Sequence, residues 1–207
     1  MIAVVDYGMG NLGSIQNMLK KIGEKEVKIT DEPEVLEKVD GIILPGVGAF
    51  DRGVDSLRMR GLDKVIKEHV LNKKKPILGI CLGMQLLGEK SEEGSLDGLG
   101  LIDFECKKFE FNSVQYKIPH MGWDYVNIEK QCELTRGLEK DARFYFVHSY
   151  MAKCKDKRDI LMSCEYGIKF AAAVNKDNIY GVQFHPEKSH RFGMLLMKNF
   201  SEVCKNV

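Results

Sequence analysis

Short apolar runs alternate with amphipathic segments through the first half of the chain. Four runs bounded by polar residues or glycine predict buried strands over residues 2–5, 27–30, 41–44 and 77–80. Apolar residues that recur every three or four positions predict helices over residues 14–23, where Gly23 ends the pattern, and 57–71. Strands that alternate with helices are typical of a parallel sheet covered by helices on both faces.

The second half of the chain has a different pattern, in which extended runs follow one another directly. These runs predict strands over residues 107–111, 125–128, 144–150, 170–175 and 179–184, and a helix near 192–203. We therefore expect an α/β fold with a mostly parallel central sheet, flanking helices and an antiparallel extension of the same sheet. No repeat, low-complexity tract or linker divides the sequence, which predicts a single domain over residues 1–207.

Charge and cysteine content exclude several classes of function. The 207 residues carry 31 basic and 30 acidic side chains, a net charge of +1, so neither nucleic acid nor a membrane surface is an expected partner. The sequence begins with a strand pattern instead of a signal peptide, which favours a cytoplasmic protein. The six cysteines show no metal-ligand or disulfide spacing, so we expect no metal and no cofactor. Five of them are interpreted as structural: Cys106, Cys132, Cys154, Cys164 and Cys204.

The remaining cysteine lies between two glycines where a predicted strand gives way to a helix. The sequence Gly79-Ile-Cys81-Leu-Gly83 has the form of a nucleophile elbow, in which glycines permit a turn that lifts the central side chain above the sheet. The N-terminus of the next helix favours a thiolate and can bind an oxyanion formed beside it. The alternative is a buried cysteine that packs as a small hydrophobic residue. We predict that Cys81 is a nucleophile.

A histidine and a glutamate follow the last predicted strand. In Gln183-Phe-His185-Pro-Glu187 the alternation of an extended segment would point His185 and Glu187 to one face. Glu187 would then orient the imidazole while His185 faces the sulfur of Cys81, as a catalytic Cys/His/Glu triad. The alternative for His185 is a histidine hydrogen-bonded to a loop. Strand ends on one edge of a parallel sheet are where α/β enzymes assemble their sites.

Several motifs together resemble a known family, the class I, or triad, glutamine amidotransferases. They are Gly79-Ile-Cys-Leu-Gly-Met-Gln85, Phe184-His-Pro-Glu-Lys-Ser189 and Pro45-Gly-Val-Gly48. Within that family, Asp6-Tyr-Gly-Met-Gly-Asn-Leu12, Pro119-His-Met-Gly-Trp123 and Phe144-Tyr-Phe-Val-His-Ser-Tyr150 resemble the glutaminase subunits of imidazole glycerol phosphate synthase, an enzyme of histidine biosynthesis. The motifs occur in the family's order, and the match runs from about residue 2 to about residue 200.

The resemblance implies hydrolysis of L-glutamine to glutamate and ammonia, and it assigns further residues to the site. It implies that backbone N–H groups of Leu82 and of the glycine loop Gly46, Val47 and Gly48 bind the oxyanion. From the residues alone, this loop is equally well an ordinary turn. The resemblance also implies that the amino-acid end of glutamine is held by Gln85, Ser149 and Tyr150.

A glutaminase that releases ammonia into water would waste it, so a partner is expected. The resemblance implies a heterodimer with a (β/α)8-barrel synthase subunit. The residues it assigns to the interface or to the ammonia route are Asn11, Pro119, Met121, Trp123, Tyr145 and Lys188. From composition alone, Trp123 suits an interface anchor and a buried core residue equally well.

Departures from the family pattern leave the ammonia acceptor open. Asp124 stands where asparagine is usual, Met151 stands where an aromatic residue is common, and residues 188–194 also differ. They raise the alternative of a paralogous glutaminase that supplies ammonia to an enzyme modifying surface sugars. Because the glutaminase half-reaction would be identical, the sequence does not decide between the two acceptors.

Two other classes of protein compete with the amidotransferase. Residues 8–13 match Gly-x-Gly-x-x-Gly after a strand, with Asp31 near the position of a ribose-binding acid, which is the pattern of a nicotinamide-dependent oxidoreductase. That class has no use for the cysteine elbow. The other alternative is a different cysteine hydrolase, or a noncatalytic binding protein on the same fold, neither of which requires the glutamine-binding residues.

Overall fold

The four strands predicted in the first half of the chain form adjacent members of one sheet. The computed structural model describes residues 1–111 and 115–206, and twelve strands are found in that part. The strands are β1 (Ile2–Val5), β2 (Val27–Thr30), β3 (Gly41–Leu44), β4 (Ile77–Ile80), β5 (Lys90–Ser91), β6 (Phe104–Lys108), β7 (His120–Ile128), β8 (Arg143–His148), β9 (Tyr150–Cys154), β10 (Ile160–Tyr166), β11 (Ile168–Lys176) and β12 (Ile179–Val182). The helices are α1 (Leu12–Lys21), α2 (Pro33–Leu36), α3 (Phe50–Met59), α4 (Leu62–Lys67), α5 (Leu82–Leu87) and α6 (His190–Lys205).

The sheet is parallel at one end and antiparallel at the other. Its strand order is β2-β1-β3-β4-β12-β11-β10-β7-β8, with β9 and β6 branching from β11. Neighbours from β2 to β12 are parallel, and the pairs from β12 through β8 are antiparallel. The predicted parallel sheet with an antiparallel extension is therefore confirmed.

Helices cover both faces of the parallel part. Alternate residues of a strand point to opposite faces, so Ile2 and Val4 of β1 pack with α1 and α6, while Ala3 and Val5 pack with α3, α4 and α5. A strand buried on both faces has a continuous apolar sequence, which is why these strands were recognisable. None of the described helices is both long and apolar enough to cross a membrane.

Several predicted elements differ from those observed. The single helix over residues 57–71 is wrong: Gly61, at φ 68°, separates α3 from α4, and residues Glu68–Asn72 form a π-helical turn. A left-handed glycine ends one helix without the steric cost that other residues incur. The strand over residues 144–150 is two strands, β8 and β9, with Ser149 between them. The prediction also omits β5 and β10, places β6 at residues 107–111, and begins β7 five residues late, at residue 125.

Candidate active site

The candidate residues meet at the edge of the sheet where the parallel strands end. β4 and β12 are neighbours, with Ile80 opposite Val182. Cys81 follows the first strand directly, and its backbone N–H donates to the Val182 carbonyl at 2.8 Å. The loop of residues 45–48 follows the adjacent strand β3 at the same edge. The topology therefore brings together segments that are a hundred residues apart in sequence.

Cys81 occupies a strained turn between β4 and α5. Its backbone has φ 55° and ψ −111°, in a region that side-chain-bearing residues rarely adopt. A Cβ on Gly79 would lie 2.7 Å from the Gly83 carbonyl oxygen, and a Cβ on Gly83 would lie 1.8 Å from the Leu44 carbonyl oxygen. Only glycine at both positions lets the helix approach the strand ends this closely. The predicted elbow geometry is confirmed.

We expect Gly83→Ala to disrupt the elbow, because the new methyl group overlaps the backbone of Leu44. The expected loss is about 3 kcal/mol of unfolding free energy, the upper range for overpacking. The matched control is Gly13→Ala in α1, where a Cβ meets no atom within 4 Å among the described residues, so a gain of about 0.5 kcal/mol is expected. Denaturant unfolding of both variants checks this, and equal stability would contradict the assigned packing.

His185 and Glu187 form a buried pair beside the elbow. The imidazole Nδ1 and the Glu187 Oε1 are 2.7 Å apart, and the side chains are 2% and 3% exposed. The backbone N–H of His185 donates to the Tyr145 carbonyl, and the Ser189 hydroxyl donates to the His185 carbonyl, so the residue is held on both sides. The predicted extended alternation is wrong in detail, because Pro186–Lys188 is a 3₁₀ turn. Glu187 reaches the imidazole from that turn.

The electrostatic environment favours the protonated form of His185. Burial by itself lowers the pKa of this imidazole, but the neighbouring Cys81 and Glu187 outweigh it and raise the pKa to about 9. The Nε2 atom is buried and has no hydrogen-bond partner among the described residues. A proton on Nε2 is therefore available to a group that enters beside the sulfur.

The sulfur of Cys81 has two polar neighbours besides the His185 imidazole. It lies 4.0 Å from the Val147 carbonyl oxygen, and the side-chain amide Nε2 of Gln183 donates to it at 3.8 Å. Gln183 was not singled out from the sequence. Its signal was available, because it precedes His185 by two residues in an extended segment and so shares that residue's face.

The glycine loop of residues 46–48 lies against the elbow, but one of its carbonyl groups is hydrogen-bonded to an N–H group that was predicted to bind the oxyanion. The Gly46 carbonyl accepts the Leu82 N–H at 3.3 Å, so the predicted pair of donors is not assembled. The Tyr7 hydroxyl anchors the loop by donating to the Pro45 carbonyl at 2.6 Å. A Cβ on Gly46 would lie 2.3 Å from that hydroxyl oxygen, which explains the glycine. Val47 is exposed, and Gly48 has a φ of 116°.

The residues expected to hold the amino-acid end of glutamine lie near the sulfur. Gln85 is buried, and its Nε2 donates to the Gln183 Oε1 at 3.1 Å and to the Tyr150 carbonyl at 3.5 Å. Ser149 and Tyr150 form the bend between β8 and β9. Burial, and then the charges of Glu93 and Glu92, raise the pKa of Tyr150, which shows that acidic groups lie nearby. Both acids already have partners: the Glu93 Oε2 accepts the Phe50 N–H at 2.9 Å, and the Glu92 Oε1 lies 3.3 Å from the Lys107 Nζ.

The glycine loop of residues 8–13 packs against the glycine loop of residues 45–48 and does not form a phosphate-binding loop. A Cβ on Gly10 would lie 3.2 Å from the Cβ of Pro45 and 3.3 Å from the Gly46 nitrogen. Asp31, the suggested ribose ligand, is paired with Arg60 at 2.8 Å. The loop's glycines are thus explained by close packing of two loops, and the oxidoreductase interpretation loses its support.

Three of the residues assigned to the interface, Trp123, Tyr145 and Lys188, lie together. Met121 and Trp123 of β7 are 61% and 43% exposed, so Trp123 is not a core residue. The Trp123 ring stacks on His190 with centroids 5.3 Å apart and meets Tyr145 edge-on at 6.2 Å. The Lys188 Nζ lies 5.5 Å from the Tyr145 ring centre.

Two further interface candidates are exposed, and one residue was missed. Pro119 lies on the surface just before β7. Asn11 is exposed and caps α1, because its Oδ1 accepts the Ser14 N–H at 3.3 Å. Tyr125, which is 56% exposed, continues the alternation of Met121 and Trp123 along β7 and was recognisable by that pattern.

A strained cysteine elbow beside a histidine–carboxylate pair, on a doubly wound sheet, defines a thiol-dependent enzyme of amide hydrolysis. The family model for Glutamine amidotransferase class-I matches residues 3–203. The chain therefore belongs to the class-I glutamine amidotransferase family.

Curated relatives match over nearly the whole chain. The chain is 54% identical over 200 residues to "Imidazole glycerol phosphate synthase subunit HisH 2" of Methanococcus maripaludis, covering 97% of this chain and 98% of that protein. It is 52% identical over 203 residues to the subunit of the same name from Pseudomonas aeruginosa, covering 98% and 100%. A crystal structure of a glutamine amidotransferase from Thermotoga maritima, 18% identical, superposes with a TM-score of 0.66 over 99% of this chain and 82% of that one, which supports the fold.

Proposed function

We propose that this chain hydrolyses the side-chain amide of L-glutamine and passes the ammonia to a (β/α)8-barrel synthase subunit for imidazole ring closure in histidine biosynthesis. The observation that carries the proposal is the buried His185–Glu187 pair beside Cys81 in its strained elbow. The relatives are named as subunits of a synthase, which supports a role as one subunit of a complex. The cytoplasmic location remains a prediction.

The proposed reaction uses two proton transfers at one histidine. The Cys81 thiolate attacks the carboxamide carbon, and the protonated His185 gives its Nε2 proton to the departing ammonia, leaving a γ-glutamyl thioester. The neutral imidazole then takes a proton from water, which attacks the thioester and releases glutamate and the thiolate. Glu187 accepts a hydrogen bond from the His185 Nδ1–H in both steps, and its charge stabilises the imidazolium. One glutamine and one water give one glutamate and one ammonia.

The oxyanion requires a rearrangement of the glycine loop. The tetrahedral oxygen forms next to the Leu82 N–H, which the Gly46 carbonyl now occupies. Rotation of the peptide between Gly46 and Val47 would withdraw that carbonyl and present the Val47 N–H in its place. Gly46 supplies one side of this peptide, so the rotation about its ψ angle has a low steric cost. We infer that the described state is a resting state and that ligand or partner binding assembles the oxyanion site.

The polar groups around the elbow suit a free amino acid. The Glu93 carboxylate near Tyr150, which also accepts the Phe50 N–H, offers a negative charge to the α-ammonium of glutamine. Gln85 and the backbone at Ser149 offer hydrogen bonds to the same end of the substrate. These contacts place the carboxamide over Cys81 and exclude simple amides that lack the amino-acid end.

The first test is glutamate release from glutamine, measured with and without a barrel synthase and its ribonucleotide ligand. Release that the loaded synthase stimulates by an order of magnitude or more supports the proposal. Release that no condition produces would refute it. In that case the thiol alkylation described below still reports on the elbow itself.

A second acceptor is favoured by one feature of the interface strand. Asp124 stands where asparagine is usual in the family. Its Oδ2 lies 3.4 Å from the Nε2 of the buried His120, and both residues belong to β7, the strand that carries Trp123. A changed charge at this place suits a different synthase, such as one that aminates a surface sugar. Glutamate release that the histidine-pathway synthase does not stimulate would support this second function.

We expect Trp123→Ala to weaken binding of the synthase subunit about 30-fold, as loss of an exposed aromatic anchor worth about 2 kcal/mol would. The matched control is Leu71→Ala, which removes another exposed apolar side chain. Leu71 follows Val70, whose carbonyl accepts a hydrogen bond from the Asn178 side chain just before β12 begins. That is the opposite edge of the sheet. Calorimetric titration with the synthase measures both, and an equal effect of the two substitutions would contradict the assigned surface.

A further inference from the structure

A fully buried glutamine lies between the candidate nucleophile and a candidate substrate-binding residue. Gln183 has no exposed surface. Its Nε2 donates to the Cys81 sulfur at 3.8 Å, and its Oε1 accepts from the Gln85 Nε2 at 3.1 Å. Its backbone N–H is fixed by the Ala172 carbonyl at 2.9 Å. One side chain thus contacts both functional groups.

The orientation of this amide is determined by its neighbours. The Gln85 NH₂ group also faces the Tyr150 carbonyl, which can only accept a hydrogen bond. Gln85 must therefore present its NH₂ group to Gln183, and Gln183 must answer with its carbonyl oxygen. Only the NH₂ group of Gln183 is then left for the sulfur. A reversed amide would place two donors together between Gln85 and Gln183.

Packing alone does not explain a glutamine at this position. A buried amide costs free energy unless its donors and acceptors are bonded, whereas methionine has a similar length and no such cost. The amide also donates to the side of the sulfur that lies next to β12. A donor to a thiolate favours the charged, reactive form.

We propose that Gln183 is a positioning residue of the glutaminase, which donates to the Cys81 thiolate and holds the Gln85 amide with the same side chain. This inference rests on the proposed function. It implies that the nucleophile and the amide that meets the substrate are coupled: a change at Gln85 reaches the sulfur through a single side chain. In this role Gln183 contacts neither the substrate glutamine nor the attacking water, so it acts through Cys81 and Gln85.

The test measures the rate of Cys81 alkylation by iodoacetamide against pH, followed by mass spectrometry of the peptide that contains Cys81. Gln183→Met keeps the length of the side chain and loses the donor. In this variant we expect the midpoint of the alkylation profile to rise by about one pH unit, which corresponds to a tenfold smaller thiolate fraction at any pH below the midpoint. Gln183→Glu, which can still accept from Gln85 but places a carboxylate on the sulfur, should raise it further. A purely structural residue would lower the melting temperature without producing this order.

The matched comparison is Gln85→Leu, which removes the donor that fixes the Gln183 amide but keeps the Gln183 NH₂ group able to reach the sulfur. We expect this variant to raise the KM for glutamine while its alkylation midpoint stays closer to wild type than that of Gln183→Met. An unchanged midpoint in both Gln183 variants would overturn the proposal. Alkylation needs no glutamine and no partner, so it can fail while glutamate release succeeds, or succeed while glutamate release fails.

Discussion

Cys81→Ala is expected to lower glutamate release from glutamine by about 10⁴-fold or more, because no other group can form the thioester. Cys81 is the cysteine in the strained turn at the start of α5, next to His185. The fold should persist, since alanine removes only the sulfur. The measurement is steady-state glutamate production with the synthase present, alongside thermal unfolding.

The control for this substitution is another cysteine that lies away from the strand ends. Cys132→Ser changes the residue before the 3₁₀ turn Glu133–Thr135, where serine is at least as good a cap. Its glutaminase rate should stay within about twofold of wild type, because the half-buried Cys132 makes none of the contacts of the candidate site. Glutamate release by Cys81→Ala at the wild-type rate would remove the thioester from the mechanism.

The sequence predicted the fold where burial on two faces left an unambiguous pattern. The strands β1, β3 and β4 are buried throughout, so their apolar runs coincide with the observed elements, whereas β2 at the edge of the sheet is only partly buried. The break at Gly61 was not predicted, because the apolar spacing of residues 57–71 continues across it and only the backbone conformation reveals the turn. β10 was not predicted because its pattern becomes clear only when β7 and β11 are in place on either side.

The candidate site was predictable where residue type and local geometry coincide. A cysteine between glycines at a strand end can be read from the chain, and so can a histidine that follows a buried strand. The state of the oxyanion loop cannot, because the same glycines permit the Gly46 carbonyl to face either towards or away from Leu82. The exposure of Trp123 was equally undetermined, since the same side chain suits a core and an interface.

The buried contacts of polar residues were the least visible feature. Gln85 reads as a surface residue of a helix, yet the strand order places β9 and β12 over it, and it bonds to Tyr150 and Gln183. Such contacts join segments that are far apart in sequence. They follow from topology, and not from any local pattern.

Glu187→Gln is expected to reduce kcat by about 10²–10⁴-fold while leaving the KM for glutamine nearly unchanged. The carboxylate binds the His185 Nδ1 and helps to raise its pKa to about 9, so the amide variant stabilises the imidazolium less. The same change alters stability. A folded-state pKa of about 9, above the ordinary value of 6.5, stabilises the fold fully below pH 6.5, and this contribution is lost as the pH rises through 9.

The pH dependence separates this explanation from general disruption. In Glu187→Gln, the decline of the melting temperature between pH 6.5 and 9 should be smaller than in wild type, because less of the shift in the pKa of His185 remains. The control is Glu202→Gln on α6, which removes the same charge from a surface pair that Glu202 forms with Arg136. This substitution should leave both the rate and the decline of the melting temperature unchanged. If Glu187→Gln lost stability equally at every pH and kept its kcat, the carboxylate would be a packing residue, and orientation of His185 would fall to its backbone contact with Tyr145.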